Sequence, residues 1–314
     1  MRTLVTGGAG FIGSNLVDAL LARGDGVTVV DDLSSGREEN LAEALAGGAV
    51  LERLDIRGGE ALTQVVAEVQ PEAIFHLAAQ VDVRLSLQDP GHDARTNVEG
   101  TINVLEAARA AGTTRVVFSS TGGAIYGETD ELPTPETVAP LPMAAYGQSK
   151  FCAERYLGLY ARLYGMSTIA LRFGNVYGPR QDPHGEAGVI AIFCGRLRDG
   201  MPPRIYGDGT QTRDYIYVGD LVEALLAAGD SDELGVVNIG TEVETSVLEI
   251  IGLLGDIHGP GAPEPEFAPA RRGEIDRSCL DTGRARAVLD WKAHTPIAEG
   301  LRLTYEALEG SRTP

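Results

Sequence analysis

Lysine is nearly absent from this chain: of 26 basic residues only Lys150 and Lys292 are lysines. Positive charge as a whole is short, and 45 acidic residues leave a net charge of −19. Such a balance argues against nucleic acid or an anionic membrane as the main partner. It does not weigh against a small anionic ligand, which a few local arginines can hold. Cysteine is also scarce. Cys152, Cys194 and Cys279 are odd in number and far apart, so neither a disulfide framework nor a metal cluster is expected, and a reducing cytoplasm is. No apolar stretch is long enough to span a membrane. Met1 runs almost directly into a strand, so no signal peptide is expected. Repeats and low-complexity segments are missing too. What remains is an ordinary globular composition over 314 residues, enough for one large domain or two modest ones.

The first half alternates short β-rich runs with helical patterns. Strands are expected at Thr3–Thr6, Gly26–Asp31, Val50–Asp55, Ala73–His76, Arg115–Ser119 and Thr168–Arg172. Helices are expected at Phe11–Arg23, Glu38–Ala46, Glu60–Val69, Asn97–Ala111 and Ala144–Tyr164. This order implies right-handed βαβ units and a parallel sheet covered on both faces. Beyond Arg172, prolines and glycines become frequent. Short strands near Arg204–Tyr206 and Asp214–Val218, and helices at Asp220–Ala228, Ser246–Ile257 and Pro296–Leu308, read as a smaller, irregular second lobe.

Two features carry chemistry. Thr6-Gly7-Gly8-Ala9-Gly10-Phe11-Ile12-Gly13 joins the first strand to the first helix. Glycines there permit a tight turn and let backbone amides approach a pyrophosphate at the helix N-terminus. Asp31-Asp32 ends the second strand, where a carboxylate accepts ribose hydroxyls and repels a 2′-phosphate, favouring NAD over NADP. The second feature is Tyr146 and Lys150, four residues apart on an expected helix and therefore on one face. An ammonium beside a phenol lowers its pKa from about 10, and the phenolate can then take a proton from a hydroxyl. Most Tyr-x-x-x-Lys pairs are merely solvated helix faces, so this pair gains its meaning from the glycine turn.

Taken together, these and further motifs resemble the extended short-chain dehydrogenases/reductases, and most closely the UDP-glucose (UDP-galactose) 4-epimerase group. The motifs run nearly end to end: the glycine turn, Asp55-Ile56, His76-Leu77-Ala78-Ala79-Gln80, Asn97-Val98-Glu99-Gly100-Thr101, Phe118-Ser119-Ser120-Thr121, Tyr146 to Lys150, Arg172 to Arg180, Gly207 to Tyr215 and Arg271-Arg272-Gly273-Glu274. The resemblance implies an α/β fold: a Rossmann-type doubly wound parallel sheet over 1–172, with a return segment near 212–240. A smaller C-terminal α/β lobe, mainly 173–314, would bind the UDP-sugar. Cofactor positions implied are Gly7, Gly10, Phe11, Ile12, Gly13, Asp31, Asp32, Ser35, Asp55, Ile56, Leu77, Ala78, Ala79, Asn97, Ser119, Tyr146, Lys150 and Phe173. Asp55 and Ile56 would border the adenine, and Asn97 would support the nicotinamide half. Thr121, Tyr146 and Lys150 would be catalytic. Substrate positions implied are Val83, Arg84, Thr121, Asn175, Arg180, Val189, Tyr206, Arg213, Arg271, Glu274 and Ser278. Among them Asn175, Arg213 and Arg271 would meet the diphosphate, the arginines through their planar forks.

The fold hosts several chemistries, and the Thr121 segment separates them. Related 4,6-dehydratases carry Asp-Glu after the threonine, and decarboxylases a nearby glutamate. Here Gly122-Gly123-Ala124 follows, with no acid. The expected reaction is therefore 4-epimerisation: Tyr146 takes the 4-hydroxyl proton, C4 passes hydride to bound NAD+, and the 4-keto sugar turns over before hydride and proton return. UDP-glucose/UDP-galactose is the expected pair. Small Ser278, or Cys279 if the register slips by one, leaves UDP-N-acetylglucosamine open. Arg84 and Arg180 leave UDP-glucuronate open. A nucleotide-sugar 4-reductase and a non-catalytic NAD-binding protein are the remaining alternatives. The family also implies a homodimer packed through Asn97–Ala111 and Ala144–Tyr164.

Overall fold

The computed structural model describes residues 1–183, 188–270 and 275–310. In chain order its elements are β1 Arg2–Thr6, α1 Phe11–Ala22, β2 Gly26–Asp31, a 3-10 turn Glu38–Leu41, α2 Ala42–Ala46, β3 Val50–Arg53, α3 Gly59–Val69 and β4 Ala73–His76. There follow α4 Val83–Gln88, α5 Pro90–Ala94, a π-helical turn Arg95–Glu99, α6 Gly100–Ala111, β5 Arg115–Thr121, α7 Gly122–Ile125, α8 Ala145–Tyr164 and β6 Ser167–Phe173. The remainder comprises β7 Asn175–Tyr177, α9 Val189–Arg198, β8 Arg204–Tyr206, β9 Thr212–Tyr217, α10 Val218–Asp230, β10 Gly235–Ile239, β11 Glu244–Ser246, α11 Val247–His258, β12 Glu266–Ala268, α12 Gly283–Leu289 and α13 Ile297–Gly310.

Seven strands form one sheet in the order β10-β6-β5-β4-β1-β2-β3, with every neighbouring pair parallel. Side chains alternate faces along each strand. Val5, Val29, Phe75, Val117 and Leu171 pack on one face with Leu16, Leu20, Leu221 and Leu225 of α1 and α10. Leu4, Val30, Ile74, Val116 and Phe118 pack on the other with Leu62, Val104, Leu105 and Leu157 of α3, α6 and α8. This two-sided burial is why the strands read as apolar runs. The chain winds from β1 outward through β2 and β3, then restarts at β4 on the other side of β1. A crevice opens at such a switch point, beyond the carboxyl ends of the strands.

Beside this sheet, a third apolar cluster joins Tyr177, Phe193, Ile205, Tyr215, Ile250, Leu254 and Leu301 from α9, α11, α13 and short strands. The three-stranded sheet β11-β9-β7 and the pair β12-β8 belong to this region. Two expected helices differ in detail. Glu38–Ala46 divides into a 3-10 turn and α2, and Asn97–Ala111 begins inside a π-helical turn. The strand expected to reach Asp55 ends at Arg53, because the Asp55 carboxylate accepts from the Arg57 amide at 2.8 Å and turns the chain.

Candidate active site

The glycine turn lies at the switch point. Gly7 adopts φ 72°, and a Cβ there would come within 2.5 Å of the Ala78 amide nitrogen. Gly13 is tighter still, with a Cβ 2.1 Å from the Gly7 carbonyl oxygen. Only glycine lets the β1 turn, the start of α1 and the segment after β4 meet so closely. Gly10 caps α1 without a side chain, so the first-turn amides and the positive end of the helix dipole are left for an anion. Phe11 and Ile12 are half-buried at this end. Asp31 accepts from the Ala9 amide at 2.9 Å and the Leu33 amide at 2.9 Å. Burial pushes its carboxyl up, against those two amides. Asp32 is exposed and caps the next turn, accepting from Ser34 N and Oγ at 2.9 and 2.6 Å. Ser35 is exposed beside it.

Further along the crevice, Asp55 pairs with Arg57 at 2.8 Å, which holds its carboxyl below the usual range. Ile56 is 4 % exposed and belongs to the core under α6. Leu77, Ala78 and Ala79 are half-buried on the segment that the glycine turn touches. Phe173 is buried in the main-sheet core. The Asn97 side chain, expected to support the nicotinamide half, is saturated elsewhere. It donates to Gln80 O and Asp93 Oδ1 at 2.9 and 3.0 Å and accepts from the Gln80 amide at 2.9 Å. It therefore acts on the segment after β4 rather than presenting free donors.

Thr121 ends β5 and caps α7, its hydroxyl accepting from Ala124 N at 3.2 Å. Through its hydroxyl, Thr121 is the one influence that favours the Tyr146 phenolate. Tyr146 stands in the first turn of α8, with its amide donating to Ser86 Oγ of α4 at 3.1 Å. Lys150 follows one turn later, 2 % exposed. Its ammonium donates to the Ser119 carbonyl at 2.9 Å and lies 4.8 Å from the Phe118 ring centre. Ser119 itself is 8 % exposed.

One expectation is corrected here. The i, i+4 pair does share a helix face, but Lys150 does not hold the Tyr146 phenol below its ordinary value. Burial, and then the charge of Asp93, push the phenol up to about 12. The ammonium is turned to the Ser119 carbonyl, and burial pulls it down to about 8 against the favourable charges of Asp93 and Glu154. Spacing on a helix fixes which face a side chain leaves from, not where its tip goes.

Residues not expected at the site complete it. Asp93 is wholly buried; its Oδ1 accepts from Gln80 and Asn97 at 3.0 Å each, and Oδ2 has no partner. His76 bridges Thr6 Oγ1 at 2.7 Å and Thr101 Oγ1 at 3.0 Å. Thr101 spends its proton on the Asn97 carbonyl, so His76 Nε2 is the donor to Thr101 and Nδ1 the acceptor from Thr6. Burial, then the Lys150 charge, drop the ring to about 3 and keep it neutral.

The second lobe contributes less uniformly. Asn175 starts β7, and a Cβ on Gly123 would lie 3.3 Å from its Oδ1; it is thus brought beside the Thr121 turn. Gly122 is closed off, since a Cβ there would meet Leu280 Cδ1 at 2.5 Å. The missing acid after Thr121 thus has a packing counterpart. Leu280 is held by its amide on Asp214 at 3.1 Å, which places half-buried Ser278 and buried Cys279 nearby in the chain. Burial pushes the Cys279 thiol up to about 12. Arg213 on β9 donates to its neighbour's carbonyl, Thr212 O, at 2.7 Å, and Arg204 lies 5.6 Å from the Tyr206 ring centre. Val189 begins α9, and Val83 and Arg84 are exposed on α4. Arg180, expected near the sugar, is instead paired with Asp18 of α1 at 2.6 Å. Arg271 and Glu274 lie outside the described residues.

This crevice, with a glycine turn and a Thr-Tyr-Lys cluster at the carboxyl ends of a parallel sheet, is that of a dinucleotide-dependent enzyme. The model of the NAD dependent epimerase/dehydratase family matches residues 3–240, and the chain belongs to that family. It is 48 % identical over 309 residues to the UDP-glucose 4-epimerase of Mycolicibacterium smegmatis, covering 98 % of each chain. It is 44 % identical to the Thermotoga maritima UDP-glucose 4-epimerase solved with UDP-glucose, with a TM-score of 0.96 and 100 % of both chains covered. A Thermus thermophilus UDP-glucose 4-epimerase solved with NAD is 42 % identical, with a TM-score of 0.92, 99 % of this chain and 100 % of that one. The family's cofactor is NAD, and the cradle at Gly7 and Gly13, the open α1 terminus and the acids ending β2 fit it.

Proposed function

We propose that this chain is an NAD-dependent UDP-sugar 4-epimerase acting on UDP-glucose and UDP-galactose. The observation that carries the reading is the placement of Thr121 at the end of β5 as the cap of α7, where its hydroxyl favours the Tyr146 phenolate, followed by a glycine pair with no acid. Tyr146 takes the proton of the sugar 4-hydroxyl and later returns it. Thr121 orients that hydroxyl, and the 4-ketone that replaces it, by hydrogen bonding. NAD, held by the glycine turn and the acids ending β2, would supply the hydride acceptor and donor for C4. Lys150, buried and cationic, stabilises negative charge as the phenol ionises. Because the phenol begins near 12, its use as a base requires positive charge brought beside it, which the oxidised cofactor would add to that of Lys150.

In this reading Gly7, Gly10, Phe11, Ile12 and Gly13 hold the pyrophosphate; Asp31, Asp32 and Ser35 face the adenosine ribose. Asp55 borders the adenine, and Leu77 to Ala79 line the dinucleotide. Ile56, Asn97 and Phe173 serve from behind, as packing and hydrogen-bonded support. The region 173–314, apart from a return through 212–240, binds the UDP-sugar. Asn175 and Arg213 face its diphosphate, and Val83, Val189, Tyr206 and Ser278 line its rings. Arg180 is spent on Asp18, which weighs against a carboxylate at C6 and for a neutral hexose. Arg271 and Glu274 retain the roles that the family resemblance implies.

A homodimer through α6 and α8 belongs to the same proposal. Tyr156, Leu163 and Tyr164 on α8 are 36, 62 and 52 % exposed, an apolar face for a second copy. Among the described residues no helix is long and apolar enough to cross a membrane, and all three cysteines are free, which suits a reducing cytoplasm. Initial rates with UDP-galactose, UDP-N-acetylglucosamine and UDP-glucuronate test the substrate assignment. The expected order has UDP-galactose well ahead; a faster rate with UDP-glucuronate would sink it.

A further inference from the structure

Helix α8 is stitched to the end of β5 at two successive strand residues, next to Thr121. Lys150 Nζ donates to Ser119 O at 2.9 Å and Ser120 Oγ donates to Glu154 Oε1 at 2.6 Å, while the following residue, Thr121, favours the Tyr146 phenolate through its hydroxyl. Tyr146, Lys150 and Glu154 are spaced i, i+4, i+8 and form one stripe. The second stitch is the stronger. Glu154 also takes a two-pronged bond from Arg172, Nε to Oε1 at 2.8 Å and Nη2 to Oε2 at 2.6 Å, with side chains only 3 and 4 % exposed. Ser120 and Arg172 are register partners on the neighbouring strands β5 and β6, so one carboxylate clamps both strands to the helix. The clamp returns to Thr121 from behind. Arg172 lies 4.8 Å from the centre of the Tyr126 ring. Tyr126 is the C-cap of α7, the helix whose N-cap is Thr121, and it donates to Asn238 Oδ1 of β10 at 2.8 Å.

We propose that Glu154 is a positioning residue of the reaction, holding Ser120 and Arg172 so that Thr121 stands opposite Tyr146. This rests on the epimerase reading and goes beyond it, since Glu154 touches neither sugar nor cofactor. A buried carboxylate serves this task because its two oxygens accept from two strands at once, and charged hydrogen bonds have narrow geometry. Loss of the clamp shifts the Thr121–Tyr146 contact, which lowers kcat and spares ground-state binding through the UDP moiety.

The test uses the whole, NAD-loaded protein and the Ser120→Ala variant, in which Glu154 keeps Arg172 as partner. The expected result is a kcat about tenfold or more below wild type, with KM and bound NAD unchanged and the thermal midpoint lowered by no more than about 4 °C, so that the protein stays folded at assay temperature. The double variant Glu154→Gln/Arg172→Met removes both buried charges together and is expected to lose kcat at least as far, again with KM unchanged. A kcat within twofold of wild type in Ser120→Ala would overturn the proposal, as would a loss that follows bound NAD or folded protein rather than kcat. If the wild-type protein itself does not epimerise UDP-galactose, the function assignment falls, and this proposal with it. If wild type is active and Ser120→Ala equals it, only the positioning role falls.

Discussion

Breaking the Glu154–Arg172 pair gives the most quantitative forecast for stability. The pair is a two-pronged charged bond with side chains 3 and 4 % exposed. Burial alone would make Arg172 less basic, but the bond to Glu154 outweighs it and holds the guanidinium above its ordinary range. Glu154→Gln leaves that guanidinium buried without a counter-charge. Such a loss costs about 3–5 kcal/mol, whereas removing both charges together is often close to neutral. For 314 residues the unfolding entropy is about 0.7 kcal/mol/K, so about 4 kcal/mol lowers the melting midpoint by about 6 °C. Arg172→Met should cost a similar amount. The double variant should melt within about 3 °C of wild type, above either single variant. Calorimetric melts of all four proteins at one pH give the cycle directly. Additive losses in the double variant would refute the claim that the charges depend on each other.

Three other forecasts follow from the site. Tyr146→Phe should lower kcat by about 10²–10⁴ while the purified protein keeps its NAD, read from the ratio of absorbance at the cofactor and protein bands. Gly13→Ala puts a Cβ 2.1 Å from the Gly7 carbonyl oxygen, more than about 1 Å short of contact. That variant should purify without NAD yet keep its helical circular dichroism, and undiminished NAD would count against the cradle. His76 binds a proton at about 6.5 when unfolded and only near 3 when folded. The unfolded state therefore gains the proton first, and stability should fall as pH drops from about 6.5 toward 3; denaturant midpoints across that range should lose this slope in His76→Gln.

The sheet was legible because each strand is a β-rich apolar run bounded by turn residues, and because both faces are covered. The family resemblance then proposed roles for residues that spacing alone left ambiguous. The short helices α4 and α5 went unread although their signals are present. Asp82 accepts from Arg84 N and Leu85 N at 2.7 and 2.9 Å, and Asp89 precedes Pro90, the first residue of α5. Each helix is too short for its periodicity to register. Tertiary partnerships were out of reach for a different reason. Glu154 lies four residues after Lys150, but nothing local announces that it meets Arg172 across the helix–sheet layer. Likewise the Lys150 tip found the Ser119 carbonyl, a partner set by how α8 lies on β5. Asn97 and Ile56 occur in motif segments, yet their side chains face inward and support the crevice from behind.

The central claim is that hydride leaves C4 and returns to it within one protein molecule. UDP-galactose deuterated at C4, given to the purified protein without added NAD, tests this most directly. The account predicts UDP-glucose with the deuterium still at C4 and no nicotinamide consumed. Deuterium lost to solvent, or turnover only with a stoichiometric supply of reduced cofactor, would contradict it.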